Sequence, residues 1–294
     1  MDTETTLEKI VKELPPLISK INVKEEGDFI NLTANYTPSQ KHSEAFCYTT
    51  RDKNPIHKEI APAFLQFSAA TLLIRKAMEE KEVDYLEYPF VFSYSDMSNI
   101  ILNGASYVFE IKFIKQKDCL EASANLLNSE SAVYTLYMKS SKENFKSLPE
   151  PKASPVYTKI LTGGEISEFS YLVGFESPER MLYALANSSS VVFDAINEGK
   201  LKPDPEIRAV YKKQQFYFNA QAAPNLKKGM NISLYLNPEE FGKRTTKELG
   251  MTILGSEDNN LVYASHSTLR FLQDELVSKL VNRAKNNYYI QTNK

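Results

Sequence analysis

Phe46-Cys-Tyr-Thr-Thr-Arg-Asp52-Lys-Asn54-Pro55-Ile56-His57, running into Ile60-Ala-Pro-Ala-Phe-Leu-Gln-Phe-Ser68, is the stretch around which the chain is organised. Phe46–Thr50 reads as an extended piece leading into a turn. An acid, an amide, a proline and an imidazole then gather within six residues. Pro55 fixes one backbone torsion and biases Asn54 toward extended or turn geometry. Asp and Asn side chains close short turns on their own backbone. Asp52 and His57 can therefore be presented together by a stiff turn. From Phe64 to Met78, the residues Leu65, Ala69, Leu72, Leu73 and Met78 recur near the helical period. A rigid polar turn feeding a buried helix suits proton transfer. The same residues also make an ordinary turn whose histidine only caps a carbonyl, and residue chemistry alone leaves both readings open.

The composition bounds the rest. A chain of 294 residues, 42% hydrophobic and 11% aromatic with no Trp, can bury one large core or two smaller ones. Lys and Arg number 35 against 37 Asp and Glu, a formal charge of −2, and no basic stripe marks a nucleic-acid partner. Cys47 and Cys119 are too few for a disulfide scaffold or a cysteine zinc site, and no metal motif of the His-Glu-x-x-His kind occurs. Gly163-Gly164 lacks the spacing of a nucleotide loop, and there is no Gly-x-Ser-x-Gly elbow. The acidic start is no secretory signal and no run is long enough to span a membrane, so a cytoplasmic protein is expected.

Along the chain, residues 4–20 read as a short amphipathic helix broken by Pro15-Pro16, and Val23–Asn35 as strand. After the central helix comes the solvated run Glu79–Glu82. Four strands follow, at Phe90–Tyr94, Ala105–Phe113, Leu120–Leu126 and Ala132–Met138, with Asn103-Gly104 and Gln116-Lys-Asp118 as turn chemistry. Lys139–Pro155 is polar and Pro-rich, a linker signature. The order then repeats: an apolar run at Phe169–Val173, a helix capped at Ser177-Pro178-Glu179 and running to Asn197, then strands at Ala209–Ala220, Asn231–Leu236, Lys247–Leu254 and Asn260–Arg270. A last helix beyond Leu269, to about Asn286, carries Leu272, Leu276 and Leu280 on one stripe.

Asp52-x-Asn54-Pro55-Ile56-His57 resembles the signature of the (R)-specific enoyl-thioester hydratases and MaoC-like dehydratases of the hotdog superfamily. The likeness covers six residues with the expected helix after them. It departs where the family has a small residue and a glycine before the aspartate, here Thr50-Arg51, and a glycine at the helix start, here Pro62-Ala63-Phe64. The resemblance implies a hotdog, and the repeated element order a double one: an α+β fold of two curved antiparallel sheets, each wrapping a central helix. The N-terminal unit, 1–145, would carry the motif, and the C-terminal unit, 146–294, would be a non-catalytic hotdog ending in a helix.

It further implies reversible hydration of a trans-2-enoyl thioester to the 3-hydroxyacyl form, on acyl carrier protein or coenzyme A, with no metal or redox cofactor. Asp52 and His57 would carry the protons, Asn54 and Pro55 would shape the turn, and backbone N–H groups at Ala63, Phe64 and Leu65 would meet the thioester oxygen. Arg51 reads either as a surface residue or as one that positions a phosphate, and His266 as structural. Thioester hydrolysis on the same fold is one alternative. A non-catalytic hotdog subunit that holds an acyl chain or a partner is the other, favoured if no water fits between Asp52 and His57. Homo-oligomers or pairing with a related hotdog chain stay open.

Overall fold

The computed structural model describes residues 14–50, 52, 54–80, 82–83, 90–116, 119–129, 131–141, 153–161, 190–219, 230–258 and 260–292. Strands β1 (Ile18–Glu26) and β2 (Phe29–Tyr36) open the chain. Helix α1 (Gln40–Thr50), a 3-10 turn (Pro55–Lys58) and helix α2 (Ala63–Glu80) follow. Next come β3 (Phe90–Met97), β4 (Tyr107–Lys115), β5 (Cys119–Asn128), β6 (Ser131–Ser141) and β7 (Tyr157–Leu161). Residues 190–197 are helical, here α3. The last elements are β8 (Ile207–Phe218), β9 (Met230–Tyr235), β10 (Glu248–Glu257), β11 (Asn260–Gln273) and helix α4 (Asp274–Thr292).

Among the described residues, eleven strands join one antiparallel sheet in the order β1-β2-β4-β5-β6-β3-β8-β11-β10-β9-β7. The expected two curved sheets are thus corrected to one continuous sheet. The reason lies at β3 and β8, each of which would otherwise end its own sheet with an unpaired ladder. They pair from Phe92↔Tyr217 to Asp96↔Lys213, with the Phe92 and Tyr217 rings 5.2 Å apart. With the outermost strand β1 set aside, the order on one side of this seam is β2-β4-β5-β6-β3, and on the other β7-β9-β10-β11-β8. The connectivity is the same in both, with a helix between the first and second strand of each run.

Alternation sets the faces. In β2 and β4 every second residue is buried (Ile30, Leu32, Ala34, Tyr36; Tyr107, Phe109, Ile111, Phe113), and α2 packs against that face. The helix is buried all round at its start: Phe64, Leu65, Phe67, Ala69 and Ala70 are buried, and so are the polar Gln66, Ser68 and Thr71. That marks a core helix rather than a surface one.

Several expectations fail for local reasons. Phe46–Thr50 is the end of helix α1, not an extended approach. Its buried residues His42, Ser43, Ala45, Phe46 and Thr50 follow the helical period. The start is fixed by a reciprocal cap: the His42 N–H donates to Ser39 Oγ (3.3 Å) and the Ser39 N–H to His42 Nδ1 (3.2 Å), an imidazole standing where Glu usually does. Ile18–Lys20, assigned to the first helix, is strand: Pro15-Pro16 cannot sit inside a helix, and the Gly27-Asp28 turn (Gly27 φ +62°) folds β1 back on β2. Lys139–Ser141 belongs to β6, and β11 runs on to Gln273 opposite Ile207, which delays α4. Strand β7 was not expected. Arg51, the linker residues 142–152, Gly163-Gly164, the Phe169–Val173 run and the Ser177-Pro178-Glu179 cap lie outside the described residues.

Candidate active site

Asn54 builds the turn. Its side-chain oxygen accepts from the Ile56 N–H (3.4 Å), Pro55 occupies the first 3-10 position, and the His57 N–H donates to the Asn54 carbonyl (3.2 Å). The Asn54 N–H donates to Asp52 Oδ1 (2.9 Å), an Asx turn that aims the carboxylate forward along the chain, toward His57. Its amide nitrogen Nδ2 reaches across the sheet seam to the Ala209 carbonyl on β8 (3.0 Å). One asparagine therefore shapes the turn, holds the acid and ties both to the second half of the chain.

Asp52 Oδ2 and His57 Nε2 stand 3.1 Å apart, with side chains only 7% and 11% exposed. His57 Nδ1 lies 3.0 Å from the Ile60 carbonyl. A carbonyl only accepts, so Nδ1 carries hydrogen and donates to it. The other ring nitrogen then faces a carboxylate oxygen, and one proton must lie between them, on Nε2 or on Oδ2. The contact is direct, which leaves no room for water between those two atoms. A reacting oxygen has to meet the pair from the side.

That side is a cavity of about 450 Å³. Asp52 and His57 line it with Phe64, Ile100, Val192 and Tyr211, and both halves of the sheet contribute. The Phe46 ring meets His57 edge-on at 6.4 Å, and the Phe64 ring meets Tyr211 edge-on at 5.2 Å. Burial near Asp52 and Glu44 pushes the Cys47 thiol up to about 12, burial being the larger cause.

The start of α2 faces the same space. Among the described residues the Ala63 and Phe64 N–H groups have no acceptor, as befits a helix's first turn, whereas the Leu65 N–H already donates to the Pro62 carbonyl (3.0 Å). Ala63 and Phe64 are thus open donors and Leu65 is not.

Two parts of the site carry no signal in the sequence read alone. Asn103, legible only as a turn former, donates from Nδ2 to the His57 carbonyl (3.0 Å) and accepts from Ser43 Oγ (2.9 Å), so it braces the turn from α1 and from the loop before β4. The β8 edge at Ala209 reaches the site only through the seam. His266 is elsewhere, its Nδ1 2.8 Å from Thr252 Oγ1 on the neighbouring strand, a structural place. No group of metal-ligating side chains occurs among the described residues. No described helix is long and apolar enough to cross a membrane.

No family model matches the chain, and no curated protein matches it. Solved structures do. A MaoC-like dehydratase from Phytophthora capsici superposes with a TM-score of 0.54 at 12% identity, over 84% of this chain and 96% of that one. HtdX of Mycobacterium tuberculosis gives 0.51 at 10%, over 82% and 100%. A 12:0-ACP thioesterase from Umbellularia californica gives 0.56 at 7%, over 82% and 94%. At such identities the likeness speaks for the fold: the chain has a hotdog-type architecture.

Proposed function

We propose that this hotdog chain adds water to, and removes it from, an acyl thioester, interconverting a trans-2-enoyl and a 3-hydroxyacyl group on acyl carrier protein or coenzyme A. The observation that carries the reading is the direct Asp52–His57 pair in the wall of an apolar cavity beside the open first turn of α2. Dehydration takes a proton from the α carbon and gives one to the departing hydroxyl. A pair that holds one proton and has one vacant site does both, and returns to its starting state when water leaves. The enolate-like charge on the thioester oxygen falls to the Ala63 and Phe64 N–H groups. Asn54 and Pro55 act as positioning residues.

Residues 1–145 then form the unit that carries the pair, and 146–294 the unit that walls the cavity. The shared strand connectivity supports this division.

The direct Asp52–His57 contact favours a second reading, in which the pair only closes a turn and the cavity holds an acyl chain. An assay separates them. A short trans-2-enoyl thioester, on coenzyme A and on a carrier protein, is followed for loss of the conjugated double bond and for thiol release. Hydration without thiol release supports the proposal. Thiol release alone gives the hydrolase, and neither signal on either carrier gives the non-catalytic role.

A further inference from the structure

Where β3 ends and β8 continues, the sheet opens into the cavity. The last pair of the seam is Asp96↔Lys213, yet β8 extends on to Ile207. The chain leaving β3 swings away: the Asn99 N–H donates to the Val133 carbonyl (3.3 Å) and the Ile101 carbonyl accepts from the Ala61 N–H (2.8 Å). Residues 98–101 line one wall of the cavity and residues 207–212 another. This end of β8 thus has β11 on one side and the cavity on the other.

Register fixes which backbone groups face the cavity. Ala209 lies opposite Phe271 of β11. The Phe271 N–H is turned the other way and donates to the Lys247 carbonyl (3.0 Å). In an antiparallel ladder two opposed residues exchange both bonds or neither, so Ala209 turns its N–H and C=O away from β11. Its carbonyl is taken by Asn54 Nδ2 (3.0 Å). Its N–H has no acceptor among the described residues. An open strand edge of this kind binds an extended, amide-bearing ligand as a further strand would be bound.

Resting on the thioester reading above, we propose that the Ala209 N–H is the recognition point for the pantetheine arm, donating to the carbonyl of the amide nearest the sulfur. Asn54 joins the two places: one of its amides holds Asp52 Oδ1 and the other holds Ala209. An acceptor at Ala209 therefore sits a short reach from the proton-transfer pair, as the cysteamine amide sits a short reach from the thioester carbon. The β8 edge selects carrier-borne thioesters over simple alkyl ones, whichever carrier lies beyond the arm.

Residue-resolved amide hydrogen exchange on the whole chain tests this without a variant. Pantetheine, and N-acetylcysteamine, which keeps only the amide beside the sulfur, slow exchange at Ala209 by about tenfold or more at saturation. Amides of β9 and β10 stay unchanged, and 2-mercaptoethanol, which has no amide, leaves Ala209 unprotected. Pantetheine that binds by calorimetry without protecting Ala209 overturns the inference, as does equal protection by 2-mercaptoethanol. Absence of pantetheine binding overturns it too, while the hydration assay on simple enoyl thioesters decides the reaction separately.

Discussion

Asn54 is the residue on which the site turns, because four of its groups are engaged at once: its N–H, its carbonyl and both ends of its side-chain amide. Replacing it with Ala removes the acceptor of the Ile56 N–H and the donor to Ala209. The expected cost is about 1–2 kcal/mol of stability in denaturant titration, with a fall in kcat that exceeds the change in KM. Cys47 supplies an independent check on the burial around Asp52. With its thiol pushed up to about 12, only about one part in ten thousand is thiolate at pH 8. Folded protein should leave Cys47 unlabelled by a thiol reagent at that pH, and unfolding should release it; rapid labelling in the fold would contradict the packing. At this scale the sequence disclosed the turn well, since Asp, Asn, Pro and His declare their geometry locally. It could not disclose Asn103 or Ala209, because both reach the site through contacts between residues far apart in the chain.

The elements were legible wherever alternation or the 3.6-residue period ran long enough, as in α2 and β4. Helix α1 was missed because its buried face includes His42, Ser43 and Thr50, which look polar in a window and are apolar only in where they sit. The cap that starts it carries a pH signature. His42 accepts the Ser39 N–H only when neutral, and burial, the largest cause, lowers its pKa below the ordinary 6.5. The unfolded chain therefore binds this proton more readily than the folded one. The stability His42 contributes is present above about pH 6.5 and is lost as pH falls below it. His42→Gln keeps an acceptor that does not titrate, so its unfolding midpoint should vary less between pH 7 and 5 than that of the parent. An identical slope would remove His42 from the account. In β10, Gly255 is required by close approach: a Cβ there would meet the Tyr263 ring at 2.2 Å and Met230 Sδ at 2.6 Å. Gly255→Ala should cost about 1–3 kcal/mol, measured by thermal unfolding.

The whole molecule is held by the β3–β8 seam, which merges two runs of equal connectivity and places the cavity where the seam parts. Element order made the repetition visible in the sequence. Which strands would merge was not visible, because edge pairing depends on which strands end each run, and that is decided by sheet order rather than by local pattern. Residues 1–145 produced alone would leave the β3 edge open, so light scattering should find dimers or aggregates. A stable monomer would mean that the seam is dispensable.

The central claim is that Asp52 and His57 move the protons of thioester hydration. Hydration of a short trans-2-enoyl thioester should be measured for the parent chain beside Asp52→Asn and His57→Ala, with the fold of each verified. The account predicts turnover by the parent and a loss of roughly 100-fold or more in each folded variant. Parent-level turnover in either folded variant would contradict it.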